Sequence, residues 1–316
     1  MPSHVGLATP FGVARPFVCL GGGTTLASLR SVPVDFADPT DAGDAGDPGA
    51  AGPPAADLRS ELAGGVLRLT IDRPDRRNAM SWGVVRGLRA AVEAARTDAG
   101  VRVVVLAGAG DEAFCAGADL ASMSHGDDDA SGFLDVHAAR GELAGLFDAL
   151  WHLGKPTVAR VQGWAMAGGF GLALACDLVV CSERARFGAP ETNVGLWPYM
   201  ITVPLVRSMA PKQALDLMLT GRVVRADEAA RLGFASRVVP HDELDAAVDD
   251  LTATLASKSP AVMKLGRDAF YAVWDMAAPQ ALAHLHAMLT LANQTEDAAE
   301  GIAAFLDKRP PQWRGR

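Results

Sequence analysis

The sequence is poor in cysteine, carries no excess of positive charge and has no long apolar run. Its 316 residues include 4 cysteines, none of them in a C-x-x-C pair, so we expect neither a disulfide framework nor a zinc site. The formal net charge of −8 argues against nucleic-acid binding, because phosphate contacts require a basic surface. No stretch reaches the roughly 18 uninterrupted apolar residues of a membrane-spanning helix, so we expect no membrane span.

The rest of the composition is ordinary for a globular protein. Apolar residues make up 49% of the chain and charged residues 21%, and a chain of this length can build a core without disulfide or metal staples. We therefore interpret the cysteines as reduced, buried fillers, and we expect a cytoplasmic protein that holds no metal ion.

The first part of the chain differs from the remainder. Seventeen of the first 60 residues are glycine or proline, a proportion typical of disordered sequence. The segment 41–54 is of low complexity and cannot form a packed face. We predict that residues 1–57 form a disordered extension without a part in the chemistry.

From Leu58 onward, strand and helix patterns alternate. Residues 66–72 show the period of a half-buried strand, and Ser81 is a good N-cap for a helix that ends near Arg96. Further strands are predicted at 101–107, 156–161 and 178–181, a short helix at 168–175 and a loop at 114–119. After Pro211 the chain is predicted to be almost entirely helical. This order favours α/β units followed by a helical region.

Several common nucleotide and hydrolase motifs are missing or incomplete. Gly108–Ala113 matches G-x-G-x-x-A but lacks the amphipathic helix that a dinucleotide site requires directly afterwards. Gly154-Lys155 is followed by proline and is no P-loop, and no G-x-S-x-G elbow occurs. A dinucleotide-binding protein and an α/β-hydrolase are therefore disfavoured.

Five ordered segments carry the informative residues. They are Asp72–Met80, Ala113–Leu120, Val161–Gly195, Leu219–Gly233 and Ala304–Arg309. Together they resemble the crotonase (enoyl-CoA hydratase/isomerase) superfamily, and the resemblance extends over about residues 58–316. It implies an α/β fold in which residues 58–258 form a spiral of ββα units and residues 259–316 a C-terminal helical trimerisation region. The resemblance also implies a homotrimer or a hexamer.

Two backbone N–H groups are the candidate oxyanion hole. A helix that begins at Gly168 leaves N–H groups unpaired and carries partial positive charge at that end, and glycine allows a ligand oxygen to approach closely. The resemblance assigns the N–H groups of Ala118 and Gly168 to the thioester oxygen of an acyl-CoA. Removing one donor of this kind raises a barrier by about 2.7–4 kcal/mol.

Glu191 is the candidate proton carrier, because the family places a glutamate after Phe-Gly-x-Pro, here Phe187–Pro190. A carboxylate that faces an apolar acyl pocket should have a raised pKa, which suits proton transfer near neutrality. The alternative interpretation is an ordinary acidic residue at a helix N-terminus.

The chain departs from the family pattern at Gly171. Hydratases of the family carry a second glutamate three residues beyond the oxyanion glycine, and water addition needs a group that activates the water. Double-bond isomerisation needs only one proton shuttle, so we expect an enoyl-CoA isomerase first. The second possibility is hydration, with Tyr199, Glu142 or a water as the substitute for the missing second glutamate. Decarboxylation or other enolate chemistry, and a non-catalytic acyl-CoA-binding protein, are further alternatives.

The resemblance also implies residues that bind the coenzyme A part of the substrate, and no separate cofactor. Arg77 is matched to the nucleotide end, and Phe305 and Lys308 are matched to contacts supplied by a neighbouring subunit. The remaining substrate-binding candidates are Ala79, Ala116, Asp119, Leu120, Ala121, Gly169 and Gly171. We expect the acyl pocket to be shaped by Met123, Phe133, His137 and the segment 197–199.

Overall fold

A computed structural model describes residues 57–119 and 133–316 of the chain. Leu120, Ala121 and Met123 lie outside the described residues, as does the predicted extension up to residue 56. Asp57 is already packed: its carbonyl oxygen accepts the N–H of Asp72 at 2.9 Å, and its carboxylate pairs with Arg73.

The larger sheet contains six strands in the order β1-β2-β3-β5-β7-β10. These strands are β1 Leu58–Ala63, β2 Val66–Ile71, β3 Val103–Gly108, β5 Thr157–Val161, β7 Leu178–Ser182 and β10 Arg237–Val239. Only the β1–β2 pair is antiparallel; the other neighbours are parallel. All six residues of β3 are buried, which explains its continuous apolar run, because a central parallel strand is covered on both faces.

The smaller sheet contains four short strands in the order β4-β6-β8-β9. They are β4 Ala113–Cys115, β6 Trp164–Met166, β8 Arg186–Gly188 and β9 Val223–Arg225. The predicted loop at 114–119 is therefore wrong for residues 114 and 115. Three-residue strands are too short to show an alternating pattern. For the same reason β9 and β10 were not predicted, and they interrupt the C-terminal part that was predicted to be helical.

Ten described α-helices accompany the sheets. They are α1 Trp82–Thr97, α2 Phe133–Trp151, α3 Gly168–Ala175, α4 Tyr199–Ser208, α5 Pro211–Thr220, α6 Ala226–Leu232, α7 Leu244–Ala256, α8 Pro260–Val273, α9 Ala278–Asn293 and α10 Glu296–Leu306. The predicted cap of α1 is confirmed, because Ser81 Oγ accepts the N–H of Val84 at 3.3 Å. The short helix predicted at 168–175 is confirmed as α3.

The larger sheet has an apolar cluster on each face. Val104 and Leu106 belong to the main cluster, which includes buried residues of α1, α2 and α3. Val103 and Val105 point to the other face and pack with buried residues of α7. Alternate residues of β3 therefore pack into two separate apolar clusters, one on each face of the larger sheet.

Helix α8 is tied to the sheet through Asp177. The carboxylate of Asp177 accepts Arg267 Nε at 2.8 Å and Tyr271 Oη at 2.6 Å. Arg267 also donates to the carbonyl oxygens of Leu150 and Trp151 at the end of α2. Among the helices described, none is long and apolar enough to cross a membrane.

Candidate active site

Three loops meet at one edge of the smaller sheet. The strands β4, β6 and β8 are parallel neighbours, and neighbouring strands lie about 4.8 Å apart. Their carboxyl ends lead to Ala118, Gly168 and Glu191 respectively. The topology thus brings the three sequence-predicted catalytic residues to the same edge.

The N–H of Gly168 lies at the start of α3. Ala167 precedes the helix with φ +49°, and its own N–H donates to the carbonyl oxygen of Gly188 at 2.8 Å. The first intrahelical bond is donated by Gly171 to the carbonyl oxygen of Ala167 at 3.1 Å. Gly168 lies in the first turn, so its N–H has no intrahelical acceptor and is available to an external oxygen.

The N–H of Ala118 is held beside it by a one-residue parallel bridge to Met80. In this bridge Met80 donates to Gly117 at 2.8 Å and Asp119 donates to Met80 at 2.9 Å. The N–H of Ala118 points to the opposite side, where no acceptor occurs among residues 57–119 and 133–316.

Gly117 brings the two donor segments into contact. Its φ is +105°, and a Cβ atom placed on it would lie 2.9 Å from Ala167 Cβ and 3.7 Å from the backbone nitrogen of Gly168. Glycine is therefore required here both by conformation and by space. The geometry is that of two backbone donors on adjacent, directly packed segments.

Glu191 lies in a short 3₁₀ turn, Pro190–Val194. Its Oε2 atom is buried and has no hydrogen-bond partner in the described part of the chain. Burial raises the pKa of this carboxyl group, although a hydrogen bond from its own backbone N–H opposes the shift. A buried carboxyl group with a raised pKa is suited to take and return a proton near neutral pH.

Apolar side chains surround the donor helix. A Cβ atom on Gly168 would lie 3.1 Å from Met80 Cε and 3.5 Å from Leu143 Cδ2. Phe147 lies one turn beyond Leu143 on α2 and is buried. The edge therefore combines a polar backbone with an apolar wall, as an acyl thioester requires.

No side chain larger than hydrogen fits at Gly171 without a shift of its neighbours. A Cβ atom there would overlap Ile201 Cγ2, and it would lie 2.8 Å from Ile201 Cβ and 3.1 Å from Phe147 Cζ. The two side chains considered as substitutes for the second acid are placed differently. Glu142 pairs with Arg89 at 3.2 Å, and Tyr199 is 72% exposed at the start of α4.

The loop that carries Arg77 is fixed by Asn78. Arg77 has φ +49° and is exposed, and its Nε donates to Glu112 at 2.8 Å. Asn78 is buried with φ +55°, and its amide donates to the carbonyl oxygens of Ala109 and Ala113. Asn78 was not among the functional residues predicted from the sequence. Its signal was its residue type, because asparagine tolerates the left-handed region better than most residues.

The other substrate-binding candidates of this region are held mainly through their backbones. Ala116 donates to the carbonyl oxygen of Arg77 at 3.0 Å, and the carbonyl oxygen of Ala79 accepts Arg73 Nη1 at 2.6 Å. The Asp119 carboxylate is buried and accepts Arg73 Nη2 at 2.8 Å. Its side chain therefore anchors the loop, and its backbone N–H is used in the bridge to Met80.

Gly169 is fixed by packing: a Cβ atom there would overlap the carbonyl oxygen of Cys115. Phe305 and Lys308 lie elsewhere, at the end of α10. Phe305 is 82% exposed, and Lys308 is exposed with φ +56°.

One serine–histidine–aspartate group lies elsewhere, at the end of β7. His241 Nδ1 lies 3.2 Å from Ser182 Oγ, and His241 Nε2 lies 3.8 Å from Asp111. Ser182 is fully buried and its Oγ accepts the N–H of Arg184. A nucleophile must reach its substrate, so this group favours a structural role.

The three described thiols fit the prediction of buried fillers. Cys115, Cys176 and Cys181 are free and buried, and burial raises the pKa of Cys115 and of Cys181 to about 12. No group of side chains suited to hold a metal ion occurs in the described ranges.

Comparison with known proteins gives consistent matches over this part of the chain. Residues 61–316 match the family model described as enoyl-CoA hydratase/isomerase. The 2,3-dehydroadipyl-CoA hydratase of Escherichia coli is 36% identical over 252 residues, which cover 79% of this chain and 96% of that protein. The carnitinyl-CoA dehydratase of Proteus mirabilis is 33% identical over 258 residues, with 80% and 96% covered.

Solved structures match the chain to proteins of the same family. An enoyl-CoA hydratase from Mycobacterium smegmatis has a TM-score of 0.76 at 32% identity, and the match covers 81% of this chain and 98% of that one. A Legionella pneumophila structure described as enoyl-CoA hydratase/isomerase (crotonase) has a TM-score of 0.75 at 30% identity, with 82% and 100% covered.

Proposed function

Because the chain belongs to the enoyl-CoA hydratase/isomerase family, we propose that it binds an enoyl-CoA thioester and shifts the position of its double bond. The crotonase fold predicted from the sequence is confirmed by the structural matches. Family membership makes the chain an acyl-CoA enzyme. What we propose is that its reaction within the family is double-bond isomerisation.

The first step polarises the substrate. The thioester oxygen accepts the N–H groups of Ala118 and Gly168, which lie on adjacent segments with no other acceptor among the described residues. These donors stabilise the negative charge that develops on the oxygen, each by about 2.7–4 kcal/mol.

Glu191 then moves one proton. Its carboxylate removes a proton from C2 of a 3-enoyl-CoA, and the electrons of the broken C–H bond pass into the thioester to give a conjugated enolate. The same proton is returned to C4, so the double bond moves from C3–C4 to C2–C3 and no atom is gained or lost. The buried Oε2 and the raised pKa of Glu191 support this role.

The observation that carries the proposal is the contact of Gly171 with Ile201. It leaves no space for a second carboxylate one turn beyond Gly168. One acid is enough for a proton shuttle, whereas water addition needs a second group to activate and place the water.

Hydration is the second candidate, favoured by the names of the relatives. Two of them are named 2,3-dehydroadipyl-CoA hydratase and carnitinyl-CoA dehydratase. With Gly171 in place of the second acid, hydration would require a water-activating group from another part of the molecule.

Coenzyme A is held as part of the substrate. We propose that Arg77 contacts its phosphates, since a guanidinium suits a phosphate, and that the backbone at Ala116–Asp119 lies along it. Phe305 and Lys308 would reach the coenzyme A of a neighbouring subunit in a homotrimer or a hexamer. Phe305 is 82% exposed together with Leu306 and Ile302, which are 72% and 63% exposed. This apolar cluster supports the assignment, because exposed apolar patches mark interaction surfaces.

A substrate panel tests the proposal. Isomerisation of 3-enoyl-CoA and hydration of 2-enoyl-CoA are followed separately for several chain lengths, with wild type and Glu191→Gln. We expect wild type to isomerise, and Glu191→Gln to lose about 100-fold or more of the turnover while it still binds acyl-CoA. Wild type that hydrates efficiently would contradict isomerisation, and tight acyl-CoA binding without turnover would identify a binding protein.

A further inference from the structure

Ile201 occupies the space in which the family's second acid would stand. We propose that Ile201 determines the reaction outcome by keeping water away from the substrate and from Glu191. This inference rests on the proposed isomerase function, and it assigns to α4 a role beyond packing.

The contact between Ile201 and α3 is tight and lies near both backbones. Ile201 is 2% exposed, and a Cβ atom on Gly171 would lie 2.8 Å from Ile201 Cβ as well as overlapping its Cγ2. Since Cβ is fixed to the backbone, a larger residue at position 171 requires α4 itself to move. Gly171 and Ile201 are therefore mutually dependent.

Ile201 is also close to the oxyanion donors. Gly171 follows Gly168 by three residues in α3, so both lie on the same helix face. Leu143 and Phe147, one turn apart on α2, contact these same two positions. Ile201, Leu143 and Phe147 therefore form one apolar wall that begins at the donor of the thioester hydrogen bond.

The apolar wall has a chemical consequence for the proton on Glu191. Hydration adds a water oxygen to C3 and a proton to C2, so it requires a water molecule beside C3. Exchange of the shuttled proton also requires water at the carboxyl group. Where Ile201 excludes water, the proton taken from C2 is returned to C4.

Solvent exchange during isomerisation tests this directly. Wild type and the series Ile201→Val, Ile201→Ala and Ile201→Gly isomerise 3-enoyl-CoA in D2O, and the deuterium at C4 of the product is measured by mass spectrometry. We expect the deuterated fraction to rise severalfold as the side chain shrinks, because water admitted past the shortened side chain finds a polar partner in the unpartnered Oε2 of Glu191. Leu205→Ala is the matched control: Leu205 is buried one turn later on α4, and its truncation should leave the deuterated fraction unchanged.

A pair of double variants tests whether the contact between Gly171 and Ile201 prevents hydration. Gly171→Glu combined with Ile201→Gly restores a carboxylate and the space for it, whereas Gly171→Gln combined with Ile201→Gly fills the same space without a base. We expect hydration of 2-enoyl-CoA to rise by about 100-fold in the glutamate variant relative to the glutamine variant. Gly171→Glu alone should give little folded protein.

The outcomes separate this inference from the proposed function. Wild type that fails to isomerise would overturn the proposed function. Wild type that isomerises, but with a deuterated fraction that stays constant through the Ile201 series or rises equally in Leu205→Ala, would overturn the role of Ile201. Equal hydration by the two double variants would overturn it as well, and if neither folds, the exchange series alone decides.

Discussion

Single glycines determine how closely the backbone segments of the site pack against each other. Gly169 allows α3 to lie directly on β4, since any Cβ atom there would overlap the carbonyl oxygen of Cys115 and lie 2.7 Å from Cys115 Cβ. Gly266 in α8 has nothing within 4 Å of a Cβ position. The two residues are alike in type and opposite in surroundings, so they form a matched pair.

We predict that Gly169→Ala lowers the free energy of unfolding by about 1–3 kcal/mol, because overpacking forces the backbone apart. The same shift of α3 should lower kcat/KM, since it displaces the N–H of Gly168. Gly266→Ala should raise the free energy of unfolding by up to about 1 kcal/mol, because alanine restricts the unfolded chain. Urea unfolding and steady-state kinetics measure both effects; equal effects of the two changes would contradict the prediction.

Glu191 gives a prediction for pH dependence. Burial raises the pKa of its carboxyl group above the ordinary 4.5, and only the ionised form removes a proton. We therefore expect kcat/KM to fall on the acidic side as the pH drops through this raised pKa. An acidic limb centred at or below pH 4.5 would contradict the raised pKa.

The same shift affects stability. The folded state binds the proton more tightly than the unfolded state, so the free energy of unfolding should fall as the pH rises from 4.5 through the raised pKa. Glu191→Gln should remove this component of the slope. Urea titrations of both proteins at several pH values provide the measurement.

At the scale of elements, α8 depends on one arginine. Arg267 is nearly buried and joins Asp177 to the end of α2. We predict that Arg267→Ala lowers the free energy of unfolding by about 3–5 kcal/mol, because it leaves a largely buried carboxylate without its partner.

Arg231 is the control for Arg267. It pairs with Asp227 at i, i+4 on an exposed face of α6, so Arg231→Ala should cost about 0.5 kcal/mol or less. Thermal or urea unfolding compares the two. A small effect of Arg267→Ala would mean that apolar packing and the hydrogen bond from Tyr271 to Asp177 hold α8 without the arginine.

The elements also show how far the sequence determines the fold and the site. The strands β2, β3, β5 and β7 and the helices α1 and α3 could be predicted because their apolar periodicity and caps are local. The short strands of the smaller sheet could not, since three residues carry no period. Yet these strands place Ala118, Gly168 and Glu191 at one edge. The motifs therefore predicted that these three residues lie close together, whereas the smaller sheet that joins them could be identified only from the structure.

Position 171 shows the same limit at the site. The sequence revealed that the second acid is missing, but it could not reveal that Ile201, far along the chain, fills the space. Such a contact depends on how α4 packs against α3. Asn78 was missed for a related reason, because both of its carbonyl acceptors belong to a segment distant in sequence.

For the whole molecule, the exposed apolar residues of α9 predict association. Leu282, Leu285 and Leu289 share one face of the helix by their spacing, and Leu282 and Leu289 are 69% and 60% exposed. Exposed apolar patches of this kind mark interaction surfaces. We expect light scattering to give the mass of three or six chains.

A pair of charges should disrupt this assembly. Leu282→Lys combined with Leu289→Lys should shift the mass toward that of one chain and reduce turnover, because contacts from the neighbouring subunit are lost. Gln280→Lys, at an exposed polar position of the same helix, is the control and should leave the mass unchanged. A wild-type protein that remains monomeric at micromolar concentration would contradict the prediction.

The pairing of β8 with β9 also sets the moment at which activity can arise. β9 closes the sheet at the strand that leads to Glu191, and it is contributed by a segment well beyond all three residues of the edge. Since synthesis runs from the N-terminus, β9 is the last strand of the smaller sheet to be made. A nascent chain therefore lacks a complete smaller sheet, and the full support of Glu191, until β9 has left the ribosome.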